Sequence, residues 1–291
     1  MRNKTLILCM IFCFSLLMGC ASGVAGAPGT GAESRTLAAS GAQIGQDVSD
    51  DKALEIIASN IAQSEEICTG LGKLIDWMED DDEEATQKQM QEKLDDLKVL
   101  IANLTKLRNE IDALPAGTQS GTKLTINAAR EYFRRLSAVA EDSREVLAYG
   151  VELWAALDPV TNFDPPESTT EYWDYSLFAG QLSMAVSQSQ NMLKRASVPA
   201  YMADSHSDLV KRMDEYQSFC QDFSIAVQLD DPLRIYSCMY RMDRLEMMIG
   251  KCGDNLDEDL VLQFAQLRKR LNGSVAALRT ELKSNIALLQ R

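Results

Sequence analysis

The sequence predicts an all-α protein: an elongated, antiparallel bundle of about seven helices with coiled-coil-like packing. Three observations predict it. From Asp50 onward, large apolar residues recur at spacings of three and four, which lays a greasy stripe along one helix face and leaves the other polar. Ala, Leu, Met, Glu, Gln and Arg, which lose least on entering a helix, are abundant, and the 291 residues hold only seven prolines. No segment reads convincingly as a strand. At 46% hydrophobic residues, the chain is rich enough to bury a substantial core.

The first helical segment starts at Asp50 and carries Leu54, Ile57, Ile61, Ile67, Cys68, Leu71, Ile75 and Met78. The second carries Met90, Leu97, Leu104 and Ile111, flanked by Leu94 and Ile101. The third runs from about Thr125 to Leu157 through Tyr132, Leu136, Val139, Val146, Leu153 and Trp154. Residues 158–169 then hold three prolines and form the best internal boundary, so the body 49–291 is either one continuous bundle or two lobes, 49–157 and 170–291. A fourth segment spans about Thr170 to Ala196, with Ser168 and Glu171 spaced as a capping box. A fifth spans about Ser205 to Leu229. The sixth starts at Asp231, with Pro232 at the first helical position, where its missing N–H costs nothing. Asn255 and Glu258 are spaced to cap a seventh, carrying Leu260, Phe264, Leu267, Leu271, Val275, Leu278, Leu282, Ile286 and Leu289.

The N-terminus has a different organisation. Arg2 and Lys4 precede an uncharged apolar stretch from Thr5 to Met18, too short for an ordinary transmembrane helix of about 20 residues but suited to a signal peptide. Leu17-Met18-Gly19-Cys20 follows. This run resembles the lipobox of bacterial lipoproteins. The resemblance covers the first twenty or so residues and implies cleavage before Cys20, a diacylglycerol on its sulfur and an acyl chain on its new amino group. It makes 1–19 the signal peptide and the membrane a partner through the lipid. Ala21 stands where an Asp resembles an inner-membrane retention signal, which implies the outer membrane, facing the periplasm, in a Gram-negative cell. Residues 21–48 are rich in Gly, Ala and Ser and read as a flexible tether. At ~3.3 Å per residue it reaches about 90 Å when extended, and its coil dimension is about 30 Å.

Charge narrows the choice of partners. The chain carries −14; removing Arg2 and Lys4 from its 29 basic residues leaves 27 against 43 acidic ones, a net −16. Such a surface repels phosphate backbones, which argues against nucleic acid, and repels anionic headgroups, which leaves membrane attachment to the lipid.

With Cys20 acylated, Cys68, Cys220, Cys238 and Cys252 remain. A turn centred near Leu229 would put Cys220 and Cys238, each nine residues away, at one height on facing apolar stripes. Helix axes 8–10 Å apart suit a disulfide there. This predicts Cys220–Cys238 and, by elimination, Cys68–Cys252; the alternative is four buried free thiols. Cys220, Cys238 and Met242 would otherwise offer soft ligands to Cu(I). The six acids Glu79 to Glu84 lack the glycine turn and distant glutamate of an EF-hand and read as a solvated turn. Tyr172, Trp173, Tyr175 and Phe178 line a groove or, more simply, bury against Trp154 or Phe163. The single histidine, His206, would have to serve any Ser–His–Asp or Cys–His arrangement, and it sits at a helix start. No Walker A loop, G-x-S-x-G or G-x-G-x-x-G occurs. The sequence therefore reads as a lipid-anchored envelope protein, not an enzyme, without a cofactor, that binds or scaffolds a protein partner. A small-molecule or copper-binding accessory lipoprotein is the first alternative, and an unrecognised enzyme the second.

Overall fold

The computed structural model describes residues 48–79, 86–163 and 172–290, with side chains omitted for 172–175. The signal peptide, Cys20, nearly all of the tether, the acids Asp80 to Glu84 and the Ser168/Glu171 pair lie outside the described residues. Among the described residues the chain is helical, without a strand.

Helix α1 (Asp50–Glu79) places acids in its first turn, where they favour the positive end of the helix dipole, and buries Leu54, Ile57, Ile61, Leu71, Ile75 and Met78. Helix α2 (Gln87–Asp112) opens on a capping box: Thr86 Oγ1 accepts from the Gln89 N–H at 3.2 Å, and Gln89 Oε1 accepts from the Thr86 N–H at 2.7 Å. Helix α3 (Ser120–Thr161) has 42 residues, so it is about 63 Å long. Its Tyr132, Phe133, Leu136, Val139 and Leu153 are fully buried. Pro159 lies in its last turn, and the helix ends two residues later at Thr161.

Asp50 ties the start of α1 to the start of α3. Its carboxylate accepts from the N–H groups of Thr118 and Gln119, both at 2.8 Å. These two bonds hold its pKa below the usual carboxylate range. Just before them the backbone turns at Gly117, whose φ of 75° is a conformation that glycine adopts freely. Helices α1 and α3 therefore run parallel, with α2 returning antiparallel between them.

Helix α4 (Tyr172–Leu193) runs back along the C-terminal part of α3. A 3₁₀ turn (Ala200–Met202) leads into α5 (Ala203–Gln228). Asp230, with φ of 48°, makes the tight turn that follows. Helix α6 (Pro232–Lys269) then starts as the sequence predicts: the Asp231 side chain accepts from the Arg234 N–H at 3.1 Å, and Pro232 occupies the first turn.

The expected seventh start at Asn255 does not occur. Helix α6 passes through Asn255 and Glu258, enters a π turn (Arg270–Val275) and continues into α7 (Ala276–Leu289) as one rod. The described residues thus form six rods rather than seven helices. The reason is packing. Ile249, Cys252, Leu256, Leu260 and Phe264 form one uninterrupted buried stripe, and Asn255 and Glu258 lie on the exposed side. A capping residue offers an alternative to the helix only where the chain leaves it.

The long rod runs antiparallel to α3. Arg270 bonds Asp142 across it, Lys283 bonds Glu65 on α1, and Leu289 lies against Gly121. One buried apolar cluster runs from Ala53 at the α1 start to Phe223 and Cys238 near the α5–α6 turn. The body is therefore elongated, with residue 48 at one end and the α5–α6 turn at the other.

Candidate functional site

The four body cysteines are free thiols, which overturns both expected disulfides. Register explains the first. The Arg241–Asp222 ion pair at 2.5 Å and the contact of Arg212 with the Cys252 thiol set α5 against α6. They put Cys220 level with residues 243–244. Cys238 sits five residues nearer the turn, about 7 Å along the axis at 1.5 Å per residue, beyond what a disulfide spans. Asp230 and Asp231 lie between the helices, so the hairpin's centre falls past Leu229. For the second pair, Cys68 meets Arg279 on α7, while Cys252 lies on α6 27 positions earlier in the same rod. That separation is about 40 Å.

These thiols pack as small apolar groups. Burial pushes Cys220 up to about 12 and raises Cys68, Cys238 and Cys252. The register brings Cys220 beside Met242 but leaves Cys238 off their level, so the three do not converge. Among the described residues, no group of three or more His, Cys, Asp or Glu side chains is arranged to hold a metal ion.

His206 is part of the core. Its Nε2–H donates to the Leu193 carbonyl at 3.1 Å, which leaves Nδ1 to accept from the Tyr149 hydroxyl at 2.9 Å. Neither Ser nor Cys joins it; the neighbouring Ser205 hydroxyl bonds Asp259 at 2.6 Å. Burial lowers the His206 pKa, and the Leu193 bond partly offsets this. Phe178 packs against Phe163 with ring centroids 5.5 Å apart and against Phe223 at 6.0 Å, and Phe219 stacks on Phe223. The aromatic group is thus anchored in the core through Phe178. The side chains of Tyr172, Trp173 and Tyr175 lie outside the described residues. Of the acidic run, Glu79 is described, and it pairs with Arg268 at 2.6 Å.

The feature left without a structural role is on the first half of α6. The face towards α5 buries Cys238, Leu245, Ile249 and Cys252. The opposite face carries Leu233, Tyr236, Tyr240 and Met247, 83%, 75%, 75% and 56% exposed. At 3.6 residues per turn these four fall within about 60° of one another. Met239 flanks them, and Leu229 is exposed at the adjoining turn. Asp243, Arg244 and Lys251 share the outer face. Solvated apolar residues are ordinary when scattered, but a continuous stripe on one helix marks an interaction surface.

No family model, curated protein or solved structure matches this chain.

The stripe was hidden in the sequence by its neighbour. Ile235, Cys238, Met242 and Leu245 account for one apolar face of α6, and that face is the one packed on α5. A helix apolar on two faces needs two partners. The signal was the second series, 233, 236, 240 and 247, at spacings of three, four and seven.

Proposed function

We propose that this chain is a lipid-anchored scaffold of the bacterial cell envelope that binds a protein partner through the outer face of α6. Acylated Cys20 fixes its location, residues 21–48 give reach, and the helical rod carries the binding face away from the attachment point. The observation that carries this reading is the exposed Leu233–Tyr236–Tyr240–Met247 stripe. It lies near the end of the body opposite residue 48, where the tether joins. Tyr, Met and Arg are the residue types enriched at protein interfaces. None of the described helices is long and apolar enough to cross a membrane.

Three measurements test it. Cys20→Ser is expected to move the protein from the membrane fraction of the cell, and the mature wild-type mass is expected to equal cleavage before Cys20 plus acyl chains. Unchanged membrane association, or a mature mass without acyl groups, overturns the anchor. Tyr240→Glu is expected to abolish co-purification of the partner while leaving the helical content intact.

A further inference from the structure

We infer that the occupant of the α6 stripe is a single amphipathic helix of another protein, with a Lys or Arg inside its apolar seam and acids along one edge. The inference rests on reading the stripe as a binding surface, and it states the chemistry of what binds there.

Spacing sets the shape of the occupant. Leu233, Tyr236 and Tyr240 are separated by three and four residues, and Asp243, also exposed, fills the gap of seven before Met247. The five positions follow the 3-4-3-4 order of two heptads and fall within about 80° of one another at 3.6 residues per turn. The seam is one helix wide and about 21 Å long at 1.5 Å per residue. A ridge of that form packs into the groove of a second helix crossing at about 20°. Helix α5 lies on the opposite face. Helix α1 ends at Glu79, where it pairs with Arg268, about 30 Å along the rod from Met247.

Charge sets its chemistry. Asp243 forms no ion pair among the described residues, whereas Arg241, on the flank, is taken by Asp222. A helix docked on the seam takes the Asp243 carboxylate out of water, which is costly unless a base meets it. One polar position inside an apolar seam also fixes the register of the two helices. The occupant therefore presents a Lys or Arg level with Asp243. Arg244 and Lys251, both exposed, hold the same flanking position one heptad apart, so the facing edge of the occupant carries acids. The seam of a second copy of α6 holds no base and does not meet the first requirement.

The test is photo-cross-linking of the full-length protein in its native membranes, with benzoylphenylalanine as the probe. Tyr240→benzoylphenylalanine is expected to link to one other protein, through a helix with apolar residues at heptad spacing, a Lys or Arg among them and acids on one edge. Val99→benzoylphenylalanine, exposed on α2, is expected not to link to it. Asp243→Lys is expected to lower that cross-link about tenfold or more, exchange of the partner's seam base for Glu to do the same, and the two together to restore it. A cross-link to a second copy of this chain, or to a protein segment without a seam base, overturns the inference and leaves the stripe a binding surface. A cross-link to lipid alone, or none above that from position 99 with Tyr240→Glu changing no association, overturns both.

Discussion

His206 and Tyr132 show how single side chains serve the core rather than chemistry. The His206 ring is neutral, donating to a carbonyl and accepting from Tyr149. Its pKa is lowered on folding, so the unfolded chain binds its proton more readily. The stabilisation is therefore complete above about pH 6.5 and is lost as pH falls from there through the depressed folded value. Glu246 acts with the opposite sign: burial, and then Asp243, raise its pKa, so its protonation on acidification favours the fold. The difference in unfolding free energy between wild type and His206→Gln isolates the histidine. It is expected to shrink below pH 6.5, and a pH-independent difference would refute the assignment. Tyr132 is fully buried and shares a 2.7 Å hydrogen bond with Ser64, whose hydroxyl also lies 2.7 Å from the Ile61 carbonyl. Tyr132→Phe is expected to cost about 1 kcal/mol in urea unfolding. Cys220 is 0% exposed with its thiol pushed up to about 12, so it is expected to label only as fast as the chain opens. Labelling of Cys220 faster than unfolding would contradict its burial.

Helix starts and stops were legible where a side chain completes a backbone bond at the place the chain leaves the helix. Asp231 with Pro232 is such a place, and Asp231→Ala is expected to cost about 1 kcal/mol in thermal or urea unfolding. Asn255 with Glu258 has the residue types and spacing of a cap and caps nothing, because burial of Cys252, Leu256 and Leu260 on one line keeps the helix going. The apolar stripes of α1, α2 and α3 were legible for the same reason that they are buried: spacing of three and four is the geometry of a helix face. The disulfide pairing was not legible. It depends on the inter-helix register, and a shift of a few residues in a turn moves two cysteines several ångströms apart along their helices. The π turn at Arg270–Val275 had no sequence signal that we recognise. It lies where the rod passes from α5 to α1 and α3, and Arg268 and Arg270 pin it to Asp76, Glu79 and Asp142. These exposed pairs are each worth at most about 1 kcal/mol.

At the scale of the molecule, α6, the π turn and α7 make a rod of about 85 Å, from 58 residues at about 1.5 Å each. Small-angle scattering of the monomer is expected to give a radius of gyration of roughly 25 Å or more. A compact chain of this body's size would give about 18 Å, and a value near that would mean the helices fold back. The sequence by itself determined the helical class, the bundle's apolar faces and the start of α6, because these follow from periodicity and from local backbone bonding. It also carries the Leu17-Met18-Gly19-Cys20 resemblance on which the proposed anchor stands. Only the tertiary structure decided which cysteines are neighbours, that α6 runs on unbroken to α7, and which of the two apolar faces of α6 is left in water. Periodicity states that a face is apolar, but which partner covers it depends on where the other helices are.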